Sequence, residues 1–223
     1  MNAYLIGYDS HVQSIGVSTR RPKRDPIMNT LYYANKWARY FGVPISWIVT
    51  LAHLESGHDP RRVNMARAEK LGAWGLLQQM GDEAPYKIGV IKHAYRTHKP
   101  IVDVIKKKWR GRPQDLLDPD LNVIISAWQL SRLRKEFGDD FATVAAAYHQ
   151  GAGAVRERLE EGKPPVSPRL QPKGYQYVTK ALATQRQYGP ALLAVHISTL
   201  DEPMTTPVHG WRHELNGEHW SRL

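Results

Sequence analysis

Apolar residues recur at helical spacing along most of the chain. From Pro26 to Phe41, Leu31, Ala34, Trp37 (or Ala38) and Phe41 return every three or four positions, and Gly42 closes the run. Pro44 suits the first turn of a second helix. In that helix Ile48, Leu51, Ala52 and Glu55 fall at i, i+3, i+4 and i+7, which puts Glu55 on or beside the buried face. Gly57 is placed to stop it. Residues 57–73 read as a loop, followed by "GAWGLLQQM". The stretch from Pro85 to Pro113 predicts one or two helices. "LLDPDLN" is a helix start, with Asp118 as cap, Pro119 in the first position and Asp120 next. That helix is predicted to reach Phe137 with Leu121, Ile124, Ile125 and Trp128 inward. In the next, Phe141, Val144, Ala145 and Tyr148 share a face. "AVRERLEEG" predicts a short helix, "KPPVSPRLQPKG" a Pro-rich loop and "YQYVTKALATQRQYG" a last core helix. Residues 1–25 read as an arm with a short strand at "AYLIGY", and residues 190–223 as a tail. The expected fold is therefore mainly α, one domain over 26–189 with N- and C-terminal extensions.

Composition narrows the chemistry. A chain of 223 residues that is 42% hydrophobic can bury a core of its own. It has no cysteine, which excludes disulfides, thiolate metal sites and a cysteine nucleophile. The formal net charge of +10 favours polyanionic partners: nucleic acid, anionic lipid or the acidic polymers of a bacterial envelope. From Lys87 to Arg112 there are nine Lys/Arg against one Asp. The N-terminus shows no basic start followed by an apolar core, so no signal peptide is expected. No apolar run approaches a membrane span.

Glu55 breaks a local rule. It sits in the last turn of an apolar helix, at the negative pole of the helix dipole. Partial burial and the dipole both disfavour the carboxylate and raise its pKa. A carboxylic acid that keeps its proton near neutrality is what a glycosidic oxygen needs as general acid. The bland alternative is an exposed helix-end Glu paired with Arg61 or Arg62. Histidines flank it in "HLESGH", but His53 and His58 do not have the H-E-x-x-H spacing of a zinc helix. No metal or cofactor is expected.

Further motifs follow in order: "ES", "GAWGLLQ", "DPDLN" on a helix, "AAAYHQGAGAV" and "YQYV". The series resembles the soluble, lysozyme-like lytic transglycosylases over about residues 30–185. Their pattern is Glu-Ser, Gly-x-x-Gly-Leu-Met-Gln, an Asn-bearing helix, Ala-Tyr-Asn-x-Gly and a late Tyr-Val. The resemblance implies a lysozyme-like helical domain, of the kind also seen in goose-type lysozyme. It makes Glu55 the single catalytic acid/base, with Ser56 beside it. It places Gly72, Gly75, Leu76, Leu77 and Gln78 on the second motif, with Leu77 where Met is common, and implies substrate contacts from Ser56, Gly75, Leu76, Leu77, Gln78, Tyr148, His149 and Tyr177. Tyr148 matches the tyrosine expected close to the catalytic carboxylate, and Tyr177 the late tyrosine. Asn122 matches the helix Asn, which reads as structural. His149 stands where the family has Asn, and Lys173 and Gly174 where it commonly has Glu-Thr. The segment between Gln78 and Asn122 is longer and more basic than usual, an apparent insertion at about 85–113.

These residues also make sense individually. Glycines let backbone approach a sugar or take a positive φ. Gln78 offers donor and acceptor to an N-acetyl group or a hydroxyl, against an alternative as a surface amide in a tight turn. Tyr148 is by default a core tyrosine with a bonded hydroxyl; the functional version aims that hydroxyl at Glu55. Trp74 has two readings of equal weight, stacking on a sugar ring or ordinary packing.

The implied reaction uses one carboxylate where most glycosidases use two. Glu55 protonates the oxygen between N-acetylmuramic acid and N-acetylglucosamine, and then takes the proton of the muramic C6 hydroxyl. That hydroxyl closes on C1 to leave a 1,6-anhydro sugar. Water activated by Asp59, the nearby second acid in the sequence, would instead make a lysozyme-type hydrolase. A basic nucleic-acid-binding or structural protein on the same fold is the other alternative. "KKKWRGR" speaks for it, and the lack of any recognised nucleic-acid motif against it. The expected substrate is the peptidoglycan glycan strand. The expected setting is a bacteriophage particle that opens the wall during entry, its terminal arms docked on other virion subunits; an endolysin released through a holin and an accessory enzyme of a secretion or conjugation machine are the alternatives.

Overall fold

The computed structural model describes residues 26–66 and 71–200, with side chains up to Tyr188. The arm at 1–25 with its expected strand, and the tail from 201, lie outside the described residues. Helix α1 is Pro26–Phe41 and α2 is Ile45–Ser56. Three two-residue strands follow: β1 Val63–Asn64, β2 Ala73–Trp74 and β3 Gln79–Met80. The chain then forms α3 (Ala84–Ala94), α4 (Lys99–Lys108), a 3₁₀ turn (Pro113–Leu117), α5 (Pro119–Phe137), α6 (Phe141–Gln150), α7 (Ala152–Glu160) and α8 (Pro172–Leu200). Among the described residues no helix is long and apolar enough to cross a membrane.

Helix α2 is the centre of the packing and contacts α1, α5 and α8. Its residues Ile48, Val49, Leu51 and Ala52 have no exposed surface, so it is apolar nearly all round, as a central helix must be. Ile45 opens it, with Pro44 as the N-cap residue just outside the helix rather than in its first turn. Gly57 closes it in the left-handed conformation (φ 64°), its N–H bonded to the His53 carbonyl at 2.9 Å.

Helix α5 starts as expected: Asp118 accepts from the N–H groups of Asp120 and Leu121. Asp120 then receives both Lys36 Nζ (2.9 Å) and Trp37 Nε1 (2.8 Å), which fastens α1 across α5. Leu121, Ile124, Ile125 and Trp128 are buried. The basic stretch resolves into two helices, α3 and α4, that pack on α5 through Ile88, Ile91, Ile101 and Ile105. Lys108 Nζ reaches the cap carboxylate of Asp118 at 2.6 Å.

Three expectations change. Leu31 is only half-buried; Thr30 and Tyr33 join Ala34, Trp37, Ala38 and Phe41 on the inner face of α1. Residues 57–73 are not all loop, because β1, β2 and β3 form a small antiparallel sheet. Val63 pairs with Trp74, and Trp74 with Gln79. Helix α8 does not stop at Gly189 but continues through Pro190 to Leu200. A proline in a helix removes one backbone donor; that weakens the ladder locally without ending it.

Candidate active site

A cleft of about 500 Å³ opens between the small sheet and the ends of α2, α3 and α6. Glu55, Gln78, Gln79, Glu83, Lys87, Tyr148 and His149 are among the residues that line it. Glu55 arrives there because the α2 register carries it one turn beyond the buried Leu51 and Ala52. Burial pushes its carboxyl from an ordinary 4.5 up to about 7, and a hydrogen bond from Tyr177 partly opposes the shift. That bond runs from the Tyr177 hydroxyl to Glu55 Oε1 at 2.6 Å. Tyr177 is itself pushed well up, first by burial and then by the charge of Glu55. The phenol therefore stays a donor. Neither Arg61 nor Arg62 forms an ion pair with Glu55 among the described residues, so the bland reading of this glutamate fails.

Position 149 supports the same pair. The His149 ring lies flat on Tyr177, with centroids 4.1 Å apart and planes within 14°. The exposed His149 thus covers Tyr177 from α6 while Tyr177 reaches Glu55 from α8.

Tyr148 does not aim at Glu55. Its hydroxyl donates to the Leu77 carbonyl at 2.7 Å and accepts from Gln79 Nε2 at 2.8 Å. Burial, and secondly the negative charge of Glu55, hold its pKa above the usual phenol value. The tyrosine bonded to the carboxylate is the late one, Tyr177, rather than Tyr148. Hydrogen-bond geometry decided this, and sequence order carries no sign of it.

The second motif is a scaffold as much as a surface. Leu76 and Leu77, expected against substrate, are 1% and 0% exposed. A side chain without surface cannot touch a ligand, so these two anchor the loop from below. Gly75 (φ 80°) leaves room for Asn122 and the Leu116 carbonyl; a Cβ there would collide with both. Asn122, fully buried, spans the turn: Oδ1 accepts from the Leu77 N–H (2.9 Å), and Nδ2 donates to the carbonyls of Trp74 (2.8 Å) and Leu116 (3.0 Å). This is the structural role expected of it. Gln78 has φ 47°. Its amide nitrogen donates to the Gly75 and Arg62 carbonyls, while the residue still lines the cleft.

Other candidates sit elsewhere. The Ser56 hydroxyl turns back to the Ala52 carbonyl at 3.1 Å. Trp74 packs on the core, its indole N–H on the Leu71 carbonyl. Asp59 is exposed and accepts from the Arg61 N–H at 2.8 Å, bound into its own turn. The cleft does hold a second carboxylate, Glu83, but Lys87 pairs with it at 2.8 Å. Gln79, Glu83 and Lys87 went unnoticed in the sequence. The Glu83–Lys87 spacing of i, i+4 on a helix was the one signal available.

The arrangement thus offers a carboxyl tuned to hold a proton near neutrality, in an open cleft of about 500 Å³ lined largely by polar side chains. Among curated proteins, none matches the chain. Residues 32–164, more than half of it, match the transglycosylase SLT domain, a stretch that includes Glu55, the 72–78 loop, Asn122 and Tyr148. The chain therefore belongs to the SLT transglycosylase domain family, whose lysozyme-like domain performs lytic cleavage of peptidoglycan.

Proposed function

We propose that this protein cleaves the β-1,4 bond between N-acetylmuramic acid and N-acetylglucosamine, with Glu55 as sole acid and base and a 1,6-anhydro-muramic product. The observation that carries the reading is Glu55 itself. It is a half-buried carboxyl raised to about 7, bonded by the Tyr177 phenol, in an open cleft of about 500 Å³. Near neutral pH much of it is protonated and able to give the glycosidic oxygen its proton. The bond to Tyr177 then stabilises the carboxylate that results. As a carboxylate it removes the C6 hydroxyl proton, and the C6 oxygen closes on C1. The proton gained by the leaving sugar is matched by the one returned to Glu55. Water is not consumed.

A single-carboxylate scheme is also supported by the fate of the other acids. Asp59 is tied into its own turn, and Glu83 is engaged by Lys87. Gln78, His149 and Tyr148 line the cleft and are proposed to contact or shape the glycan site. Mass spectrometry of muropeptides released from purified peptidoglycan tests the proposal. Wild type should give anhydro-muramic products and Glu55→Gln none. Reducing ends from wild type would mean hydrolysis and turn attention to Glu83.

The proposed setting is local wall opening by a bacteriophage particle, with residues 1–25 and the tail as docking arms. Because α8 continues to Leu200, the informative truncation removes 1–25 and 201–223 and spares the helix. The trimmed protein should still cleave peptidoglycan but fail to enter particles. Normal incorporation would refute the setting and leave the reaction standing.

A further inference from the structure

We infer that Lys87, from the basic segment, is a positioning residue of the cleft: through Gln79 it sets the direction of the Tyr148 hydroxyl proton and so holds the 75–78 loop in its working shape. The inference rests on the reading of this cleft as the glycan-cleaving site.

Lys87 differs from the other cations of its stretch by facing inward. Its side chain is 12% exposed and its ammonium meets three acceptors: Glu83 Oε2 (2.8 Å), Gln129 Oε1 (3.0 Å) and Gln79 Oε1 (3.1 Å). A buried ammonium needs such partners, because a charge without them is costly to remove from water.

Gln79 is 3% exposed, and its amide has two different ends. Lysine only donates, so it selects the oxygen. The nitrogen must then face Ser126 and Tyr148, at 3.0 and 2.8 Å. Ser126 agrees with this orientation independently. Its own proton goes to the Asn122 carbonyl at 2.7 Å, so toward Gln79 it can only accept. Tyr148, receiving one amide proton of Gln79, directs its own proton to the Leu77 carbonyl at 2.7 Å.

The outcome is a directed chain from Glu83 through Lys87, Gln79 and Tyr148 to the backbone of the second motif. It has two consequences. The Leu77 carbonyl is fixed, and with it the turn that presents Gln78 to the cleft. Tyr148 is also kept from offering its proton to Glu55, which leaves Tyr177 as the donor to that carboxylate. Without Lys87 the Gln79 amide can turn over. Tyr148 would then donate to Gln79, and the Leu77 carbonyl would lose its partner.

A double-mutant cycle on full-length protein tests this, with kcat and KM measured separately on soluble glycan strands. Lys87→Met should lower kcat on the order of 10- to 100-fold while KM stays within about twofold, as expected for lost positioning. Lys87→Arg, which also only donates, should recover most of the rate. Adding Lys87→Met to Tyr148→Phe should cost little more, because both act through one chain. Gln79→Glu is the safeguard against misfolding. It keeps an acceptor for Lys87 but removes the donor to Tyr148, so kcat should fall with the melting temperature maintained. A change in KM alone, or losses that multiply in the double mutant, would overturn the inference. If wild type releases no muropeptide, the reading of the cleft fails. The chain is then still judged by NMR: the side-chain amide signals of Gln79 should be sharp and slowly exchanging in wild type and lost in Lys87→Met. Unchanged signals would refute it.

Discussion

Glu55 and Tyr177 form a pair in which each partner's surroundings oppose ionisation. The carboxyl is raised by burial, and the phenol bond draws it partly back. Removing that bond in Tyr177→Phe should raise the Glu55 pKa further, above about 7. A hydrogen bond to a charged group contributes ~1.5 kcal/mol, which corresponds to about one pH unit. In the proposed mechanism the first proton transfer needs protonated Glu55, so activity should fall at high pH as the carboxyl ionises. The alkaline limb of kcat against pH should therefore move up by about one unit in Tyr177→Phe; a limb that stays or moves down would contradict the pairing. The same raised pKa has a cost in stability. Below pH 4.5 Glu55 is protonated whether the chain is folded or not, and its burial carries no penalty from charge. As pH rises toward 7 the unfolded chain ionises freely and the folded one resists, so the native state loses stability through that window. The full difference is on the order of 3 kcal/mol as an upper bound, since Glu55 is only half-buried. Glu55→Gln should thus be inactive yet melt at a higher temperature than wild type at pH 8, with the gap shrinking toward pH 4.

The cleft is lined from α2, α3, α5, α6 and the three short strands, and its tightest junction is where the β2–β3 turn meets α5. Gly75 is the closest approach in that junction. Its φ of 80° and the collision of a Cβ with Asn122 and the Leu116 carbonyl both select glycine. Gly75→Ala should cost more than ~2 kcal/mol in urea unfolding, because backbone strain and overpacking add. Asn122→Ala leaves the Leu77 N–H and two carbonyls without their buried partner, and should cost ~2–4 kcal/mol. Loss of cleavage should accompany both. The long helices around this junction were readable because burial on one face repeats every three to four residues, and capping chemistry marks their ends, as at Asp118 and Gly57. The sheet was not readable. Two-residue strands have no period to detect. The site was legible in part for the same reason. Glu55 violates a local rule and stands out, whereas Gln79 and Lys87 obey theirs. Their meaning comes from hydrogen bonds that join residues 42 and 69 positions apart. The reversal of Tyr148 and Tyr177 is of that kind too.

On the scale of the whole molecule, the net charge of +10 has to be reconciled with a cleft that holds two carboxylates. The basic segment divides its cations between two tasks. Lys87 turns into the cleft, Lys108 is fastened to Asp118 and Arg112 to Asp115, all structural uses. Lys92, Lys99, Lys106 and Lys107 are exposed on α3 and α4, and no ion pair holds them among the described residues. A cationic face of this sort attracts a polyanion over a range set by salt, about 8 Å at physiological ionic strength and 3 Å at 1 M. Peptidoglycan, with free carboxylates on its stem peptides, is such a polyanion. Reversing these four lysines to glutamate should weaken binding to purified sacculi by about tenfold or more at low salt, with the difference fading toward 1 M. On short glycan fragments at 1 M salt, where long-range attraction is screened, kcat should stay as in wild type, because the substitutions lie away from Glu55. Were the face built for nucleic acid, the same reversal would abolish binding to DNA while retention on sacculi stayed unchanged. Cosedimentation with sacculi beside a DNA-binding titration, both run across salt, separates a wall-holding surface from a nucleic-acid one.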